Sequence, residues 1–401
     1  MYKRKLYLDR IRPYLGTPIV KVLSGMRRVG KSYLMRQIIE LLREDGVPGE
    51  NILYVDKESL DFENIETHRD LDRAVKTVLA ERQGRRFLLV DEIQEIMDWE
   101  KTIASWAGKG DIDIIITGSN AHLFSSQLAS KLSGRYVEFP VYSLSFIEYL
   151  LFRGAKQGAL QNEFLDYMRF GGLPAIHHFE QEEEVVYQYV TSVFNTILLK
   201  DIIMRHEVRN VALLERLARY LFDNVGRVMS AKSIADYLKS QRLQVGVETV
   251  QNYLAYFEET LVAHKVQRYD IKGKRLLDIH EKYFLGDTGM RHAVLGYREG
   301  ELSGVLENIV YLELRRRGYT VHIGKLGAYE VDFVATKEKE KLYVQVAYML
   351  ATPEVVEREF GVLRAIPDNY PKLVLSMDTA FGEDVEGIRR QNLVEFLMGS
   401  S

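Results

Sequence analysis

The run Gly25-Met26-Arg27-Arg28-Val29-Gly30-Lys31-Ser32 sets two glycines, a lysine and a hydroxyl in G-x-x-x-x-G-K-S order. These residue types suit a phosphate. Glycine lets the backbone curl until successive N–H groups face phosphate oxygens, and a helix starting at the loop's end points the positive end of its dipole the same way. Lys31 can reach the β- and γ-phosphates, and the Ser32 hydroxyl can hold Mg²⁺. Gly25, Met26, Arg27, Arg28, Val29, Gly30, Lys31, Ser32 and Tyr33 are therefore the candidate nucleotide-binding residues, with ATP and Mg²⁺ as the ligands. Further along, Phe87-Leu88-Leu89-Val90 runs into Asp91-Glu92. An aspartate there would orient the Mg²⁺ shell, making Ser32 and Asp91 the metal set, while Glu92 would polarise an attacking water. Alone, such a pair is a common solvated strand end. Downstream of a phosphate loop, in text that alternates strand and helix, the catalytic reading is preferred.

Two further groups complete the set. Ile112 to Ile116 is a buried-type strand ending in Thr117-Gly118-Ser119-Asn120. A polar residue here would touch the γ-phosphate or the lytic water. Thr117, Ser119 and Asn120 are the candidates, with Asn120 chosen, although serine and asparagine at such a turn also serve as helix caps. Arg135 follows Gly134 in a loop within Leu128 to Tyr136. It is either a surface arginine or a finger that reaches a phosphate in cis or across an oligomer.

These side chains need a scaffold that brings distant loops together. Ile19 to Ser24 reads as a strand and residues 33–45 as a helix with Leu34, Ile38, Leu41 and Leu42 on one face. Asn51 to Asp56 is a second strand, residues 67–82 a second helix and Arg85 to Glu92 a third strand. Strands alternating with helices at this spacing predict a parallel α/β sheet with chemistry at the strands' C-terminal ends. A strand-like Val137 to Val141 and a helical 143–153 follow. Met168 to Pro174 then breaks the pattern with glycines and proline.

The remainder reads as two modules. After a long helix over 185–207 come three helices, Ala212 to Asn224, Ser230 to Lys239 and Val247 to Glu259. Two strands, Leu261 to Tyr269 and Arg275 to Leu285, flank Ile271-Lys272-Gly273-Lys274. This is the order of a winged helix, whose last helix would face a DNA groove. That helix carries Thr249, Gln251 and Asn252 but no arginine. Lys265, Arg268, Lys272, Lys274 and Arg275 load the wing against Asp270 alone. Packing against protein is the competing role for such a module. From residue 303 a helix bearing Glu307 precedes strands at 319–323, Glu330 to Ala335 and Leu342 to Met349. With Asp332, this resembles a PD-(D/E)xK nuclease fold. The chemistry needs a lysine two positions after the Glu or Gln of the last of these strands. Gln345-Val346-Ala347 lacks it, and Lys341 lies upstream, so cleavage is not expected. A strand over Lys372 to Met377 and a helix near 385–398 end the chain.

Composition sets the bounds. The chain has 401 residues, 46% hydrophobic and 28% charged, with a formal net charge of −3 and no cysteine. Disulfides and thiolate metal sites are excluded, and a near-neutral balance leaves any nucleic-acid contact to local patches. Apolar runs stop far short of the ~20 residues of a membrane span. A cytoplasmic protein without membrane contact is expected.

In order, Gly-Met-Arg-Arg-Val-Gly-Lys-Ser, Val-Asp-Glu-Ile-Gln, Ile-Thr-Gly-Ser-Asn, Leu-Ser-Gly-Arg-Tyr and Phe-Gly-Gly-Leu-Pro resemble prokaryotic AAA-type ATPases of the AAA_14 class with a DUF4143 C-terminal region. The resemblance covers nearly the whole chain. It implies an ATPase core, a winged-helix module and a nuclease-like C-terminal fold. The expected architecture is thus α/β: a parallel-sheet ATPase core over 1–142, a helical lid over 143–204, a winged helix over 205–283 and a nuclease-like α/β domain over 284–401. The expected activity is Mg²⁺-dependent ATP hydrolysis by Lys31, Asp91, Glu92, Asn120 and Arg135, coupled to the C-terminal half. The partner of that half is open between DNA at the basic wing and a protein, and oligomerisation through Arg135 is open as well. An ATP-gated nuclease and a slow signalling switch are the competing functions.

Overall fold

The computed structural model describes residues 2–120, 132, 134–154, 160–179, 182–298, 302–379 and 384–399. Much of the loop expected over Leu128 to Tyr136 lies outside the described residues. The chain forms two compact units, Met1–Val141 with Glu259–Leu261, and Tyr142–Glu258 with Val262–Ser401.

The first unit is a five-stranded sheet, all parallel, in the order β2-β3-β4-β1-β5. Its strands are β1 Val20–Ser24, β2 Ile52–Asp56, β3 Phe87–Asp91, β4 Asp113–Gly118 and β5 Tyr136–Pro140. Every residue of β1, β3 and β4 is buried, which is why these strands read as unbroken apolar runs. Alternate residues nevertheless divide between the faces. Val20, Val22, Leu88, Val90, Ile114 and Ile116 share one core cluster with Leu71, Val75 and Leu79 of helix α3 (His68–Leu79) and with Trp99, Ile103 and Trp106 of α4 (Trp99–Lys109). Helices α1 (Lys5–Ile11) and α2 (Lys31–Glu44) also belong to this unit. The sequence reading missed α1 and α4. Helix α4 carries Asp98 at its start and Glu100 in its first turn, ordinary start signals that went unread, but Asp98 adopts the left-handed region, φ +58°, and makes no side-chain cap.

Strand β4 lies between β1 and β3, with Leu23 opposite Thr117 and Val90 opposite Ile116. The C-terminal ends of these three strands are therefore neighbours, as the alternating pattern predicted.

The second unit contains α5 (Phe146–Arg153), α6 (Leu160–Phe170) and α7 (Glu183–Thr196), whose chain continues as a π-helix over Ile197–Met204. Next come α8 (Val211–Asp223), α9 (Ala231–Ser240) and α10 (Val247–Glu259). An eight-stranded sheet follows in the order β13-β12-β11-β10-β9-β7-β8-β6. The hairpin β7 (Ala263–Asp270) and β8 (Arg275–Leu285) is continuous with the C-terminal strands, because β7 pairs in parallel with β9 (Thr320–Leu326) at Arg268–Ile323 and Tyr269–Gly324. β8 runs through the boundary expected at 283, so hairpin and C-terminal strands share one sheet. Strand β6 (Val228–Met229) forms one edge, and β10 (Tyr329–Lys337), β11 (Glu340–Val346), β12 (Lys372–Ser376) and β13 (Arg389–Asn392) extend the sheet to the other. Helices α11 (Thr288–Leu295), α12 (Ser303–Arg316), α13 (Pro353–Arg364) and α14 (Leu393–Leu397) lie between or after these strands. The helix expected near 385–398 is corrected: Arg389–Asn392 pairs in parallel with β12, and only then does Asn392 cap α14 through the N–H groups of Val394 and Glu395.

Candidate functional site

The phosphate loop leaves β1 at Ser24, and its backbone explains its glycines. A Cβ on Gly25 would lie 2.4 Å from the Val141 carbonyl oxygen, so only glycine allows that approach. Gly30 caps α2 at φ +97°, a conformation other residues adopt at a cost. Arg28 adopts φ +66° in the same loop. The loop is also held from behind. Arg4, buried at 2% exposure, donates from Nη1 to the Val29 carbonyl at 2.9 Å, while its own N–H donates to Gln37 Oε1 on α2 at 3.0 Å. Nothing in the spacing of the loop motif pointed to Arg4.

Lys31 opens α2. Its Nζ donates to the carbonyls of Gly25 at 2.9 Å and Met26 at 3.2 Å and pairs with Glu92 Oε1 at 3.3 Å. Asp91 ends β3, where Oδ2 accepts the Tyr54 hydroxyl at 3.1 Å and Oδ1 accepts the Thr117 hydroxyl; Ser32 also hydrogen-bonds to it. Burial raises the Asp91 pKa above the usual carboxylate range, and the charge of Glu92 adds to the rise. Glu92 differs. Burial pushes it upward too, but Lys31 and Arg27 outweigh that and hold its pKa below the ordinary value. Two adjacent carboxylates are thus driven apart by their surroundings.

The end of β4 supplies the remaining contacts. The Glu92 N–H donates to Thr117 Oγ1 at 2.9 Å, so one threonine ties both carboxylate residues to β4. Gln94 donates from Nε2 to Glu92 Oε2 and to Ser119 Oγ at 3.3 Å. Asn120 is buried one residue further on. Thr117 bonds directly to the carboxylate residues, and Ser119 shares Gln94, which the sequence reading overlooked, with Glu92. The only signal for Gln94 was its place two residues after Glu92. Met26 and Val29 are buried, and Arg27 and Arg28 approach Glu58 at 3.9 and 4.0 Å. Tyr33 is half-exposed on the first turn of α2.

Arg135 is not brought to this site. Val20 at the start of β1 donates to the Arg135 carbonyl at 2.9 Å, whereas Ser24, which leads into the loop, pairs with Pro140 at the far end of β5. β1 is five residues long, about 16 Å at about 3.3 Å per residue, so Arg135 sits at the opposite end of the strands from the phosphate loop. Of the alternatives left open for Arg135, this placement does not support the one in cis; the guanidinium lies beside Gly108 of α4.

In the second unit, Asp332 and Gln345 occupy adjacent strands as expected. The Asp332 N–H donates to Gln345 Oε1 at 2.7 Å, and Asp332 Oδ2 accepts the Val346 N–H at 2.8 Å. Ala347 is buried. Lys341 does not substitute for the missing lysine; it lies over the rings of Tyr343 and Tyr370 and 3.6 Å from Asp368. The lysine that does reach the carboxylates is Lys282 of β8, 2.9 Å from Glu307 Oε2. No spacing rule relates it to Asp332. Of the wing's basic residues, Lys265 pairs with Glu281 at 3.2 Å, while Lys272, Lys274 and Arg275 are exposed.

Comparison with known proteins follows the same division. Residues 17–150 match the family model of an AAA domain of the AAA_14 class. Residues 161–301 match a domain of unknown function, DUF8612, where the motif resemblance implied DUF4143. An uncharacterised protein of Haemophilus influenzae is 35% identical over 403 residues, covering 99% of each chain. One from Methanocaldococcus jannaschii is 29% identical over 347 residues, covering 82% of this chain and 75% of its own. Among solved structures, Aeropyrum pernix Orc1 in complex with DNA aligns over 73% of this chain and 92% of its own at 13% identity, TM-score 0.33. A Thermotoga maritima DNA polymerase III gamma subunit-related protein aligns over 64% and 99% at 15% identity, TM-score 0.29. With a glycine-bounded phosphate loop and a strand-end carboxylate pair inside the matched residues, and a relative 35% identical over 99% of its length, the chain belongs to the P-loop ATPase family of the AAA_14 class.

Proposed function

We propose that the first unit is a Mg²⁺-dependent ATPase and that the second unit answers to its nucleotide state. The observation that carries this reading is the single hydrogen-bonded set formed by Lys31, Ser32, Asp91, Glu92 and Thr117 at the ends of β1, β3 and β4. Lys31 would leave the Gly25 and Met26 carbonyls for the β- and γ-phosphates. Ser32 and Asp91 offer the oxygen donors that a hard cation takes, and Mg²⁺ bound there would neutralise phosphate charge. Glu92, kept ionised, would accept a proton from the attacking water, and Gln94, Ser119 and Asn120 would steady that water and its base. Arg135 would act on the nucleotide of a neighbouring copy, since it lies at the opposite end of the strands from its own phosphate loop.

For the second unit, the order of α8, α9, α10 and the β7–β8 hairpin supports a winged helix, and the α12 to β11 segment a nuclease-like fold without cleavage. The exposed Lys272, Lys274 and Arg275 favour DNA phosphates as the wing's partner over a protein.

The test is ATP turnover of the full chain with and without duplex DNA. Lys31→Ala should abolish turnover. Glu92→Gln should retain ATP binding and lose about 10²–10⁴-fold in kcat, the usual contribution of a general base. Duplex should stimulate the wild type in proportion to its length and less at high salt. Full activity in Lys31→Ala would overturn the ATPase site; turnover indifferent to DNA would favour a protein-binding switch.

A further inference from the structure

Four carboxylates from three elements meet in the second unit: Glu307 on α12, Glu330 and Asp332 on β10, and Glu359 on α13. A nuclease-like arrangement would use such oxygens to hold a divalent cation. Here an ammonium is already among them. Lys282 Nζ lies 2.9 Å from Glu307 Oε2, 2.9 Å from Glu330 Oε1 and 3.9 Å from Asp332 Oδ1. The other oxygens and amides are engaged as well. Asp332 Oδ2 accepts the Val346 N–H, and Gln345 donates from Nε2 to Glu359 Oε2 at 2.8 Å. Arg358 donates to Glu359 Oε1 at 2.7 Å.

Resting on the nuclease-like reading proposed above, we infer that the Lys282 ammonium is the cation of this cluster, standing where such a fold would hold a metal, so that the cluster itself takes none. Geometry supports this on three counts. The ammonium lies within hydrogen-bond distance of two carboxylate oxygens, at 2.9 Å each, and a third stands 3.9 Å away as an ion-pair partner. A divalent ion needs oxygens at about 2.0–2.6 Å and cannot share these with an ammonium that already lies among them. The cluster is also closed from behind: a Cβ on Gly226 would lie 3.2 Å from Glu307 Oε2 and 3.1 Å from Gly304 Cα. The competing role, a catalytic lysine displaced onto β8, requires Nζ to face a scissile phosphate. Lys282 has a 3% exposed side chain with its donors turned toward carboxylates, which does not meet that requirement.

The test is a Mn²⁺ titration of the full chain without nucleotide, read by the thermal midpoint and by the paramagnetic resonance of free Mn²⁺. Wild type and Asp332→Asn should respond identically, because any Mn²⁺ held at Ser32 and Asp91 is common to both. Lys282→Met should melt lower, take up one additional Mn²⁺ per chain and recover part of the lost midpoint. Lys282→Met/Glu307→Gln should melt higher than Lys282→Met and lose the additional ion. Wild-type Mn²⁺ uptake that Asp332→Asn removes would overturn the inference, as would a folded Lys282→Met that binds no more Mn²⁺ than wild type. If Lys282→Met does not fold, the double variant and the wild-type comparison decide, with Glu330→Gln, partly exposed, as a second carboxylate probe.

Discussion

Glu92 owes its low pKa first to two cations, Lys31 and Arg27, which outweigh burial, and then to the hydrogen bonds of Gln94 and Ser119. Gln94 has a second effect: it fixes one carboxylate oxygen and ties it to Ser119. If Gln94 positions the base, Gln94→Ala should leave the KM for ATP within about twofold and lower kcat about tenfold, close to the ~1.4 kcal/mol of one hydrogen bond. Gln94→Glu supplies a sharper readout. A second carboxylate beside Glu92 disfavours its ionised form, so the acid limb of kcat against pH should move to higher pH. An unmoved limb would show that Gln94 only fills space. At this scale, residue types were legible and partners were not. The lysine, serine and paired carboxylates declared themselves because phosphate chemistry demands those types at that spacing. Gln94 and Tyr54 reach those carboxylates, and Arg4 the Val29 carbonyl of the loop, through the fold, and no local pattern marks them. Thr117, paired with Leu23 across the sheet, bonds to Asp91, a contact that its place in the sequence did not announce.

Between elements, the Gly171-Gly172 turn shows how a breaker in the text becomes a junction in space. Asp287 accepts the N–H of Gly172 at 2.7 Å and that of Gly289 at 2.9 Å, so one carboxylate joins the end of α6 to the start of α11. Gly171 has φ +78°, and a Cβ there would lie 2.0 Å from Asp287 Oδ1 and 2.6 Å from the Gly289 nitrogen. Left-handed backbone costs about 1–2 kcal/mol for a residue with a Cβ, before the clash is counted. Gly171→Ala should therefore destabilise the second unit by more than about 2 kcal/mol in urea unfolding. Gly154→Ala, with φ +67° and open space around its Cβ, should cost only the backbone share. Equal losses in the two variants would refute the junction. The strong breaker was readable; its partner, 115 residues away, was not. Helix starts were readable too. α13 begins at Pro353 after the cap Thr352, and α4 at Asp98 with Glu100 in its first turn; both signals were available and overlooked, although the Asp98 side chain does not in the end cap its helix. The alternation of the first unit was legible because parallel strands buried on both faces must be apolar throughout. The merging of hairpin and C-terminal strands into one sheet depends on the β7–β9 pairing, which no periodicity encodes.

For the whole molecule, a net charge of −3 conceals titrations of opposite sign. Burial lowers His177 and His292 to about 4 and His264 to about 3, while burial raises Asp287 to about 6. Burial also raises Asp91, Asp113, Glu307 and Asp332. For a histidine with a depressed pKa, the unfolded chain takes the proton first on acidification, so its stability contribution is complete above about pH 6.5 and falls away below it. For a carboxyl with a raised pKa the folded chain holds the proton more tightly, so its contribution is complete near pH 4 and declines as pH rises toward 6. The two sets oppose each other over the same window. Single variants should expose the slopes that cancel in the wild type. His264→Phe, placed among the rings of Tyr142 and Tyr311, should gain about 2 kcal/mol relative to wild type between pH 6.5 and 5. Asp287→Asn should shift the other way, losing ground to wild type as pH falls from 6 to 4. Urea unfolding by circular dichroism at each pH, compared with emission from Trp99 and Trp106, the chain's two tryptophans, separates the second unit from the first, because both indoles lie in the core of the parallel sheet. Parallel pH profiles for wild type and both variants would mean that His264 and Asp287 ionise in the folded chain as they do in the unfolded one, which their burial argues against.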